Sequence, residues 1–178
     1  MKFVEKFWDA VDLAVESLQL PWTSVVLYND SFILSPNNQS WMTGVINSQA
    51  NKGSRHWQLV LRLVEIGARL EKTEHHKLLG IKSWSVPREL TKTESFLRDP
   101  STPSYKKNEL KKKILLLRDR YIAHRINMTL GDKESGLLLL GAAHRDFICF
   151  LSHNIEVKNV LSQEDYRKFL LYVYEKNF

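Results

Sequence analysis

Residues 103–128 constrain the fold of this chain more than any other stretch. Wound at about 3.6 residues per turn, they set Leu110, Ile114, Leu117, Tyr121, His124 and Met128 on one seam, spaced by alternating fours and threes. Leu115, Ile122 and Ile126 form a second apolar stripe on the other side. A helix lying on a protein surface needs only one such stripe. Two predict a helix central to its own bundle, or one whose second face meets another subunit. Inside it stands "LLLRDRYIAHR", residues 115–125, where charged groups follow directly on leucines. Charges among apolar neighbours are costly unless they are paired or perform chemistry. The stretch is therefore either the solvated end of a core helix or a site. His124 lies on the first seam and Arg118 at its edge. A histidine on an apolar seam is also an ordinary hydrogen-bonded core residue, and periodicity alone leaves both readings open.

The other signals predict more helices. Phe3, Phe7, Ala10, Ala14 and Leu18 predict a helix over 3–18, stopped near Pro21. Between 22 and 53 the pattern is weak: "VVLY" and "FIL" suit short strands between the turns "NDS" and "SPNNQS". A helix is expected over 54–72, with Leu59, Leu63, Ile66 and Leu70 on one face and Gly67–Ala68 inside it. Pro87, Pro100 and Pro103 break 73–104, leaving a short helical turn near Leu78–Trp84. Further helices are expected at 136–153 and, capped by Ser162, in "QEDYRKFLLYVYEKN". The expectation is one all-α domain over 1–178, a bundle of five or six helices dimerising through the central one. An apolar share of 43% and a charged share of 26% suit such a folded chain.

Composition narrows partner and compartment. Cys149 is the single cysteine, so no intrachain disulfide framework exists and a reducing cytoplasm is expected. "MKFVEKFWDAVD" interleaves acids with apolar residues, unlike a signal peptide. The run "GLLLLGAA" is far short of the roughly 20 residues that span a bilayer, so no membrane partner is expected. A net charge of +6 suits a phosphate-bearing partner.

At "RDRYIAHR" the sequence resembles HEPN domains (higher eukaryotes and prokaryotes nucleotide-binding). Arg118 matches the family's arginine, Asp119 the polar residue after it, and His124 the histidine after five intervening residues. The form resembles most closely the abortive-infection (phage-exclusion) subgroup. "LRLVEIGARLEKTEHHKLLGI" (61–81) looks like that subgroup's upstream helix, although Glu71 stands where most relatives carry Asp. The resemblance covers about residues 54–130. It implies a metal-independent, cofactor-free endoribonuclease, a toxin or antiphage defence effector, cleaving RNA by 2′-OH attack at a homodimer interface. His124 would be the general acid or base, Arg118 would hold the scissile phosphate, and Asp119 would orient one of them. The alternative is a non-catalytic HEPN-like module binding nucleotide, RNA or a protein partner. Six residues on a straight helix turn through about 600°, so Arg118 and His124 point about 120° apart. A kink, or two copies about a two-fold axis, would bring them together.

Around the motif, Lys113, Arg120, Tyr121 and Arg125 are the expected RNA contacts, the first two near the seam's edge. Lys106, Lys107, Lys111, Lys112 and Lys113 form either a solvated face or an approach path for RNA phosphates. Glu71 with His75, and Cys149 with His153, have a two-ligand spacing that falls short of a metal site, so no metal is expected. Ile126 occupies the position where some toxin-type relatives carry a modifiable Tyr, which argues against a nucleotidyltransferase antitoxin. The identity of any antitoxin or regulator is not legible.

Overall fold

The computed structural model of the chain describes residues 2–29, 39–75, 96–97, 99–141, 143–144 and 146–161. The expected turn near Leu78–Trp84 and the last helix, from Ser162, lie outside them. The chain divides into two compact units: Met1–Ser24, Ser40–Ala68 and Glu156–Phe178 form one, Val25–Gln39 and Arg69–Ile155 the other.

The all-α expectation is overturned. Among the described residues four α-helices accompany a three-stranded, wholly parallel sheet. The helices are α1 (Lys2–Ser17), α2 (Gln39–Asn51), α3 (Arg55–Glu65) and α4 (Ser104–Thr129); the strands are β1 (Val25–Asn29), β2 (Arg69–Glu71) and β3 (Ser135–Leu139). Short 3-10 turns lie at Trp22–Ser24 and Asp146–Phe150.

In the first unit, α1 forms where expected: Phe7, Ala10, Ala14 and Leu18 of the expected face are half-buried, the flanking Val11 and Val15 are buried, and Leu13 is 68% exposed. The helix ends at Ser17, and Gln19, two residues beyond, takes a left-handed φ of 46°. On α3 the buried residues are Leu59, Val60 and Leu63. The expected helix to residue 72 stops at Glu65 because Gly67 takes φ 112°. The Ala68 N–H then donates to Leu63 O at 2.9 Å and the Gly67 N–H to Val64 O at 3.1 Å, the Schellman closure of a helix end. Leu70, expected on the helix, lies in β2 instead.

In the second unit the strand order is β2-β1-β3. All five residues of β1 are buried, as the near-continuous apolar run of a central parallel strand requires. Tyr28 pairs with Glu71 on one side and Leu138 on the other. Val26 and Tyr28 pack with Ile122 and Ile126 of α4 and with Phe147; Leu130, Leu138 and Leu151 border this core. The helix expected over 136–153 is absent: Ser135–Leu139 is a strand and Asp146–Phe150 a 3-10 turn. Leucine favours helix locally, but pairing with β1 overrides that preference. Gly136 admits the strand, since a Cβ there would lie 3.3 Å from the Tyr28 ring.

Candidate functional site

The course of α4 is fixed by contacts along its second half. The Arg69 guanidinium, at the start of β2, donates to Thr129 O at 3.0 Å. Arg125 reaches Glu71, at the end of β2, at 2.7 Å. Arg118 meets Glu74, three residues further on, with Nε 2.9 Å from Oε1. The helix thus runs antiparallel to the strands, and its first half projects past their carboxyl ends. No residue from 104 to 118 is buried.

The inward face of the second half is Asp119, Ile122, Ala123 and Ile126. The first seam points the other way, so it is not the face that α4 packs into the chain's own core. Leu117 is 49% and Met128 68% exposed, and His124 is exposed with them. Two stripes of similar apolarity existed, and Val26 and Tyr28 of the sheet cover the second.

The three motif residues therefore separate. Arg118 turns toward a carboxylate with no solvent exposure, in an ion pair in which its own side chain is 20% exposed. Asp119 is buried, with Oδ1 2.5 Å from His144 Nδ1 and Oδ2 accepting the Asp146 N–H at 3.2 Å. Buried charges of this kind are retained where they are paired. His124 stands alone among the three on the outer side, so the 120° divergence read from the helix persists and no kink removes it.

Of the expected RNA contacts, Lys113 and Arg120 are exposed. The Arg120 guanidinium lies 5.2 Å from the Phe150 ring centroid. Tyr121 is half-buried, its ring centroid 5.5 Å from that of His75 and its face 5.9 Å from the Lys72 ammonium. Arg125 is tied to Glu71 and to the Lys72 carbonyl. A line of exposed groups nevertheless emerges: Lys106, Lys113 and Arg120 recur every seven residues, with His124 one turn beyond Arg120. Positions seven apart nearly superimpose on a helix, about 10 Å apart along the axis, and Arg120 and His124 at i, i+4 are neighbours.

A second cluster lies beyond the carboxyl ends of the strands, where open parallel sheets place ligands. Thr73 Oγ1 donates to the Asn29 carbonyl, Glu74 and Asn29 are fully buried, and His144 follows β3. Among the described residues, neither Oδ1 nor Nδ2 of Asn29 has a hydrogen-bond partner. Sequence reading missed Glu74, His144 and Asn29. The only signal for Asn29 is a polar residue closing the apolar run "VVLYN". Glu71 and His75 are engaged separately, by Arg125 and Tyr121. Among the described residues no group of three or more His, Cys, Asp or Glu side chains is placed to hold a metal ion, and no helix is long and apolar enough to cross a membrane. No family model, no curated protein and no solved structure matches the chain.

Proposed function

We propose that this protein binds RNA along the outward face of α4. The observation that carries the reading is the exposed line Lys106–Lys113–Arg120–His124 on a helix whose first half stands clear of the sheet. Phosphate contacts of this type give affinity without sequence information. The acids of α4 are Glu109 and the buried Asp119, so little on the helix opposes a polyanion. The test is fluorescence anisotropy with labelled RNA. Lys106→Ala/Lys113→Ala/Arg120→Ala together weaken binding strongly at low salt, and unchanged affinity defeats the reading.

Cleavage of that RNA is the second reading, favoured by the exposure of His124 beside Arg120. An exposed imidazole can pass a proton, and a guanidinium one turn away can hold the scissile phosphate. Arg120 takes the role that the motif gives to Arg118, because Arg118 is committed to Glu74. A HEPN-type composite site would instead need a second copy of the chain to supply the arginine, and light scattering decides whether one is present. Purified protein incubated with total RNA, with and without EDTA, gives cleavage that EDTA leaves intact and that His124→Ala and Arg120→Ala each abolish. RNA that stays intact under all conditions removes the catalytic reading and leaves binding untouched.

A further inference from the structure

We infer that the RNA taken by α4 is single-stranded, an inference that rests on the binding reading above. The cations of the outward face are interleaved with exposed apolar groups. Leu117 and Met128, 49% and 68% exposed, share a stripe with Lys113, Arg120 and His124. Large apolar side chains lying open on a helix with a solvated cationic line call for a partner that is both anionic and flat-faced. Duplex RNA presents phosphates and 2′-hydroxyls and keeps its base faces stacked inside. An unpaired strand offers phosphates to Lys106, Lys113 and Arg120, and base faces to the exposed Leu117, His124 and Met128. A second copy of this chain fits the stripe less well, since it sets the line of cations against its own counterpart, like charge on like.

The experiment uses 2′-O-methyl oligonucleotides, which resist cleavage through the 2′-OH. A labelled oligouridine is compared with a blunt duplex of equal phosphate number, against wild-type protein and Leu117→Ser/Met128→Ser. Both residues are exposed, so the variant keeps the core intact. The expected result is tighter binding of the single strand by wild-type protein. The double variant then loses about tenfold on the single strand, with duplex binding and salt dependence unchanged. Equal binding of the two forms, with no selective loss in the variant, overturns the inference while leaving RNA binding in place. Binding of neither form defeats the parent reading as well. A wild-type dimer that the double variant dissociates, with no preference for single strands, assigns the stripe to a second copy and overturns the inference.

Discussion

Arg118 and His124 share a helix and a short motif, yet their surroundings give them opposite parts. Arg118 holds a fully buried carboxylate, Glu74, at hydrogen-bonding distance. Removing one partner of such a pair leaves a desolvated charge, which costs about 3–5 kcal/mol. Arg118→Ala is therefore expected to lower the urea midpoint substantially, whereas the expectation from the motif alone is an intact fold. His124→Ala, on the solvent side, should change stability by no more than about 0.5 kcal/mol. Equal midpoints for the two variants would show that the ion pair contributes nothing. Glu134 supplies a pH-dependent contribution. Its carboxylate accepts the Gly131 N–H at 2.8 Å and the Arg69 guanidinium at 2.9 Å, and these hold it below the ordinary value of 4.5, the backbone bond contributing most. A depressed carboxylate stabilises the fold fully above its unfolded value, and that contribution fades as pH falls through the lower folded value. Glu134→Gln should lose stability at neutral pH and flatten the acid limb of the stability profile. An acid limb identical to wild type would exclude the contribution. The Arg118–Glu74 pair is not readable in sequence, because the two residues lie 44 positions apart.

Elements formed where local chemistry spoke clearly and departed where it did not. The helices over 2–17 and 104–129 follow from apolar periodicity alone, within two residues at each end. The end of α3 was misread, since the helix was expected to run to 72 with Gly67 inside it, although "EIGARLE" offers a glycine where a helix-closing left-handed residue belongs. Gly67 adopts φ 112° and its missing Cβ leaves room for Thr23, whose Cγ2 would lie 3.0 Å from it. Gly53, at φ 86°, has nothing within 4 Å of the same point. Gly53→Ala should thus carry the backbone penalty alone, about 1 kcal/mol. Gly67→Ala carries that penalty plus a clash, and should destabilise more in thermal melts. A Gly67→Ala melt no lower than that of Gly53→Ala would remove Thr23 from the account. The strand β3 was not legible, since "SGLLLL" carries no period of two and leucine favours helix locally.

At the scale of the whole molecule, the surplus of 26 basic over 20 acidic residues matters by where it is displayed. Lys106, Lys113 and Arg120 together should each release condensed counterions when RNA binds. Replacing all three with alanine should reduce the slope of log affinity against log salt by about 2, at about 0.7 per phosphate for a single strand. A slope that does not move would place the RNA elsewhere on the surface. What the sequence determined by itself was the helicity of α1 and α4, the basic character of the first half of α4, and two apolar stripes along that helix. These depend on residues a few positions apart. Only the tertiary structure decided that Val25–Asn29, Arg69–Glu71 and Ser135–Leu139 form one parallel sheet, because a parallel ladder joins segments such as Val25 and Ser135 that no local pattern links. It also decided which stripe of α4 faces inward. Ile122 and Ile126 met Val26 and Tyr28, and that contact turned Leu117, His124 and Met128 toward solvent, since either stripe could have supplied apolar burial but only one could face the sheet.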